Sequence, residues 1–123
     1  MNDILTKTFK AGAAINPRRL LKIGAADWEV IEAVDGAAAI IGVSPDATFA
    51  TGDRIDVQMM GIAKVRIDGT PARGTYVTAT TAGKGAAAAP AAGVNSNVAG
   101  IILVTAADED MCDVLLAPSR IQG

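Results

Sequence analysis

Few residues of this chain have the chemistry for catalysis or metal binding. They are three serines (Ser44, Ser96 and Ser119), one cysteine (Cys112), the acidic run Asp108-Glu109-Asp110 and the Gly-Lys-Gly of positions 83–85. A serine or thiol nucleophile needs a neighbouring base or cation to activate it. The chain of 123 residues contains no histidine, so the commonest base and the commonest metal ligand are missing. A Ser–Lys pair brought together only in space stays open. The three carboxylates could hold a divalent cation through their oxygens, but the spaced ligands and glycine of an EF-hand loop are lacking, and a solvated turn is the plainer reading. The Gly-Lys pair is no phosphate loop, because the upstream glycine that motif needs is missing and neither Ser nor Thr follows Lys84. Catalytic, cofactor-binding and metal residues are therefore expected to be absent, and the chain is expected not to be an enzyme.

Charge and composition narrow the partners. The formal charge is −2 and the isoelectric point is near 4.9. Nucleic-acid binding needs a clustered basic footprint, and the basic residues here are scattered except for Arg18, Arg19 and Lys22. That small group suits a local salt-bridging or interface role. Only Phe9, Trp28, Phe49 and Tyr76 are aromatic, too few for a base-stacking platform. A sugar site would have to use Trp28 or Tyr76, and a core or interface plug is the plainer role for Trp28. Cys112, flanked by Asp110 and Asp113, reads as a small buried hydrophobe. The start of the chain lacks a basic segment followed by an apolar run, so no secretory signal is expected. The stretch GIILVTAA from Gly100 is too short to span a bilayer. Synthesis in the cytoplasm is expected, with no membrane, nucleic-acid or small-molecule partner.

The elements that carry these residues are short and extended. Residues 1–17 alternate in polarity and read as an extended N-terminal arm that adds little core, and residues 18–123 read as a single β-rich domain. RLLKIG and WEVIEA are two strands around a loop at Asp27. Asp35-Gly36 is a turn, AAAIIGVS a strand, and Asp68-Gly69 a second turn. GTYVTATTAGKGAAAA repeats the strand–Gly-turn–strand idea. The alanine run up to Ala92 leaves room for one helical turn at most, since Pro90 and Gly93 cut it. NVAGIILV and CDVLLA are the last strands, and PSRIQG is a short tail. Many short strands at this spacing point to an all-β barrel or sandwich. The two halves also line up: Leu20 with Tyr76, Ile40 with Gly100 and Ile55 with Cys112, at an offset near 57 residues. The expected fold is a small compact β-barrel or β-tulip-like domain with an internal pseudo-duplication.

The stretch GDRIDVQMMGIAKVRIDG is the clearest strand. Ile55, Val57, Met59, Ala63, Val65 and Ile67 share one parity, and charged or polar residues take the other. Met60 and Ile62 break the pattern by placing large apolar groups on the wet face. Either they meet another chain, or Gly61 starts a β-bulge that buries one of them. An aliphatic chain of this size also suits a symmetric homo-oligomer.

The succession TFKAGAAI, KIGAADWEVIEA, AIIGVS, TGDRIDVQMMGIAKV, ARGTYVTATTAGKGAAAAPAAGVN, GIILV and DVLLAPSRIQG resembles the capsid cement, or head decoration, proteins of tailed phages. In particular it resembles the DUF2190 group, and more weakly the lambda-type head decoration protein. The likeness runs from about Ile4 to Gly123 and departs from the pattern in EDMCDV, where relatives more often have a Gly-containing turn. The resemblance implies a β-rich, usually trimeric virion protein on the outer surface of the expanded head. Its partner is the major capsid protein, whose neighbouring subunits it clamps. It implies capsid contact through the arm, here Ile4, Leu5, Thr6, Lys7, Thr8 and Phe9, and on that view Met60 and Ile62 lie at the oligomer interface. A tail, baseplate or head-fibre module and a small ligand-binding barrel are the alternatives.

Overall fold

A computed structural model describes residues 3–123. Among them the chain forms nine strands: β1 (Asp3–Ala11), β2 (Leu20–Ile23), β3 (Glu29–Glu32), β4 (Ile40–Val43), β5 (Arg54–Arg66), β6 (Tyr76–Ala79), β7 (Gly85–Ala87), β8 (Asn95–Ile102) and β9 (Met111–Gln122). The helical content is one 3-10 turn, Thr81–Gly83. The all-β expectation holds, and one local expectation does not. The alanine run stays within the one-turn limit, and Gly85–Ala87 pairs with β6 as a strand, as the strand–Gly-turn–strand reading expected. PSRIQG is not a tail, because Ser119 to Gln122 continue β9 along β8. There backbone pairing overrides what the side chains suggest.

The strand order is β1-β3-β2-β4-β5-β9-β8-β6-β7, and an extra pairing of β1 with β5 closes the first five strands into a barrel. The order is nearly a palindrome about the β5–β9 pair, and the reason is the duplication. β2 starts at Leu20 and β6 at Tyr76, an offset of 56; β5 starts at Arg54 and β9 at Met111, an offset of 57. The pairings repeat as well. Leu21 faces Gly42 in the first unit, and Val77 faces Gly100 in the second. Val43 faces Gln58, and Ile101 faces Leu115.

The repeat also includes the N-terminal segment, which the sequence alone left outside it. Thr8 faces Asp56 on β5, and Lys64 faces Asp113 on β9. Ala11 pairs in parallel with Val30, and Ile67 forms a parallel bridge with Gly85. The main-chain bonds match. Ala11 donates to the Asp53 carbonyl at 2.8 Å and Ile67 to the Asp110 carbonyl at 2.8 Å; Gly12 donates to Val30 at 2.9 Å and Asp68 to Gly85 at 2.8 Å. β1 is therefore the counterpart of the second half of β5. The long strand serves both units: residues 54–60 complete the first barrel, and residues 61–66 open the second, which closes through the single Ile67–Gly85 bridge.

Burial follows this plan. Phe9, Ala11, Ile15, Leu21, Val30, Ile55 and Val57 fill the first barrel, with Ile41, Phe49 and Met59 partly buried around them. The N-terminal segment thus contributes three core residues, Phe9, Ala11 and Ile15, where the sequence suggested little. A larger cluster fills the second unit with Val65, Ile67, Val77, Ala79, Cys112, Val114 and Leu116, and it takes in Leu20, Ile40 and Val43 from the outside of the first barrel. Each fully buried aliphatic side chain contributes roughly 1.5–3 kcal/mol. The two units are therefore one packed body, with the outer face of the first barrel seated in the second.

Candidate functional site

Ser44, Cys112, Lys84 and the acidic run are engaged structurally, while Ser119 is exposed on β9. The Ser44 hydroxyl donates to the Asn16 carbonyl and accepts from the Arg19 amide, both at 2.9 Å. Asp110 accepts the Ala107 amide, as its counterpart Asp53 accepts that of Ala50. Carboxylate oxygens of Asp68, Asp108 and Glu109 come within 4.8 Å of one another, and all three residues are exposed. Asp108 accepts the Gly69 amide at 2.7 Å, and Glu109 takes Lys84 Nζ at 2.7 and 2.8 Å. This is a stitched turn, and Lys84 of the Gly-Lys-Gly serves it. Cys112 is buried, and desolvation, followed by the nearby Asp110, raises its thiol pKa above the ordinary value. A protonated thiol is a poor nucleophile. Arg19 bonds carbonyls, those of Pro17 at 3.2 Å and Ala82 at 2.9 Å, so this member of the Arg18, Arg19, Lys22 group fastens the two units together.

The proposed arm residues are part of the barrel. Ile4 lies in β1, and its side chain is outside the described residues. Leu5 is half-buried opposite Met60, Thr6 stands opposite Gln58, and Lys7 and Thr8 are exposed. Thr8 Oγ1 donates to Asp56 Oδ1 at 2.8 Å. Phe9 is buried in the core and stacks on Trp28 with ring centroids 5.2 Å apart.

Met60 and Ile62 lie on the outside of β5 where it passes from one unit to the other. Met60 is 48% exposed and Ile62 is half-buried. Gly61 between them takes a φ of 100°, and the register against β1 slips there. The inward parity is unbroken, since Val57 and Ala63 are both buried, so no bulge carries either residue into the core. Ile62 belongs to a longer row. Across four strands Ile62 faces Leu115, Leu115 faces Ile101, and Ile101 faces Tyr76. Directly opposed residues share one face of a sheet, so the row is a continuous outer stripe, with Leu115 and Tyr76 exposed.

A second apolar surface lies at the open end of the first barrel. Phe9, Ile23, Asp27, Trp28 and Met59 line a cavity of about 380 Å³. Trp28 is 66% exposed, Ile23 is 51% exposed, and Trp28 holds a φ of 58°. That conformation is rare for a bulky side chain. No pattern along the chain announces this cavity, because its residues come from three strands and one loop.

No family model matches the chain. No curated protein matches it either. Among solved structures, the crystal structure of the head fiber gp8.5 N base of bacteriophage phi29 is similar, with a TM-score of 0.73 at 15% identity, over 97% of this chain and 98% of that one. The likeness is one of fold, and it spans both barrels.

Proposed function

We propose that this protein is a structural component of a phage head, seated on the outer capsid surface, where it stabilises the shell by clamping neighbouring major capsid subunits. The observation that carries the reading is the fold shared over nearly the whole chain with a phage head-fibre base. The motif succession quoted above supports it independently. The engaged Ser44, the buried thiol and the stitched acidic turn agree with a mechanical role. Capsid contact falls to β1 through its outward side chains, with Lys7 and Thr8 exposed and Phe9 anchoring the strand from inside. Many such clamps add through avidity.

A head-fibre base is the second reading, favoured by what the similar structure is. Copy number separates the two. Purified protein is co-sedimented with expanded heads that lack it, and bound copies are counted. Saturation near one copy per major capsid subunit supports the clamp, and a few dozen copies or fewer support the fibre base. Absence of binding removes both.

A further inference from the structure

We infer that copies of this chain join head to tail, the outer stripe around Tyr76 of one copy seating in the Trp28 cavity of the next. The inference stands on the internal repeat and is independent of the virion reading. Inside the chain one such contact already exists. Leu20 and Val43, on the outside of the first barrel, belong to the same buried cluster as Val65, Ala79 and Leu116 of the second. The hairpin tip of the second unit closes over them. Arg19 bonds the Ala82 carbonyl, and a Cβ on Gly83 would come within 2.9 Å of Arg19 Cβ and 2.8 Å of the Leu20 carbonyl.

Each side of that contact has a repeat counterpart, and each counterpart leaves large apolar side chains exposed, Ile23 and Trp28 on one and Tyr76 on the other. Val65, Ala79, Gly83 and Leu116 of the receiving side correspond to Phe9, Ile23, Trp28 and Met59, the lining of the 380 Å³ cavity. Gly83 and Trp28 match in backbone, with φ of 76° and 58°, but the indole stands where Gly83 lets the Leu20 carbonyl approach, so the stripe of the next copy packs on the indole and does not repeat the internal contact atom for atom. Leu20 and Val43 of the inserting side correspond to Tyr76 and Ile101. Leu20 and Val43 are fully buried, while Tyr76 is 43% exposed. The chain thus ends in an unfilled socket on one barrel and an unseated stripe on the other. Their chemistry matches: aliphatic and aromatic surfaces meet, and Asp27 at the socket rim offers an acceptor to the Tyr76 hydroxyl. Because the two surfaces are different and lie on different barrels, the contact is heterologous, and a closed ring satisfies every socket. Ile62 lies in the stripe, so its apolar character on the outer face is explained by the same contact.

The test is sedimentation analysis of the full chain over a concentration series, with Trp28→Gly, Ile23→Asp and Tyr76→Asp. Glycine suits position 28, since the counterpart is Gly83, and Ile23 and Tyr76 are exposed. Thermal melts establish that each variant is folded. Wild type is expected to self-associate, and each variant to do so about 30-fold or more weakly, as for an anchor residue. An equimolar mixture of Trp28→Gly with Tyr76→Asp is expected to form a one-to-one pair, because one keeps the stripe and the other the socket. A mixture of Trp28→Gly with Ile23→Asp should stay monomeric. A wild type that is monomeric throughout, folded variants that associate normally, or equal pairing in both mixtures would overturn the inference.

Discussion

The two barrels have the same plan and opposite surroundings. The first is closed by paired strands on every side, and its outer face around Leu20, Ile40 and Val43 is covered by the second. The second closes through one bridge, Ile67 with Gly85, and relies on Leu20 and Val43 from its neighbour to complete its core. Equivalent residues therefore have different burdens. Leu20 is fully buried where Tyr76 is exposed, and Ile23 is exposed where Ala79 is buried. Duplication of a fold doubles its surfaces, and one covalent copy can cover only one of each pair. Backbone conformation diverges in step. Gly52, Gly74 and Gly83 each take a positive φ, and so do their counterparts Glu109, Arg18 and Trp28. The path of the chain is retained even where the residue best suited to it is not.

The largest expected effect tests whether the shared plan is energetic as well as geometric. Gly42 and Gly100 occupy equivalent strand positions, and each lies against the backbone of the next strand. A Cβ at Gly42 would meet the Gln58 carbonyl and Val57 Cγ1, and one at Gly100 would meet the Leu115 carbonyl. Gly100 also has a φ of 156°. Denaturant unfolding is expected to show Gly100→Ala destabilised by more than about 4 kcal/mol, and Gly42→Ala by about 3, since its clash with the Gln58 carbonyl is the less severe and its φ is not left-handed. A Gly42→Ala protein within about 0.5 kcal/mol of wild type would break the equivalence of the two close approaches.

The difference in covering predicts a smaller, asymmetric pair. Leu20→Ala removes a fully buried side chain and is expected to cost about 2–4 kcal/mol. Tyr76→Ala, at the matching position, is expected to cost under about 1 kcal/mol in the isolated monomer, because its side chain is 43% exposed where that of Leu20 is fully buried. Dilute samples are needed, so that any association through Tyr76 is absent. Equal losses at the two positions would mean that the second barrel does not lean on the first.

Much of this plan was legible in the sequence, for identifiable reasons. The strand of residues 54–66 was readable because its inward parity never breaks. The duplication was readable from Leu20 onward because Asp56-Val57 and Asp113-Val114 keep both residue types. It was not readable in β1, where Thr8 answers Lys64 and Phe9 answers Val65, and only pairing reveals the correspondence. Met60 and Ile62 were noticed as outward apolar residues, but the stripe that includes Ile62 depends on cross-strand register, which one strand cannot give. The socket was invisible because Phe9, Ile23, Trp28 and Met59 are far apart in the chain, and a core or interface plug at Trp28 does not say which residues surround it. Its left-handed backbone becomes meaningful only beside Gly83.

The smallest expected effect asks whether β1 and the second half of β5 are interchangeable in detail. Thr8 Oγ1 donates to Asp56 Oδ1 at 2.8 Å, and at the corresponding place Lys64 Nζ pairs with Asp113 Oδ1 at 3.1 Å. The Lys64–Asp113 pair is solvated, with side chains 58% and 37% exposed, so it contributes little. Thr8→Lys would build the same pair on the first barrel. It exchanges a short neutral-to-charged hydrogen bond for a screened ion pair and places a longer side chain on a strand, so gains and losses nearly cancel. A change within about 0.5 kcal/mol of wild type at low salt is expected. Whatever gain there is should vanish near 1 M salt, where the screening length falls to about 3 Å. A loss above about 1 kcal/mol would show that Thr8 is fixed by its place at the start of the chain, and that β1 follows the backbone of the repeat without sharing its side-chain logic.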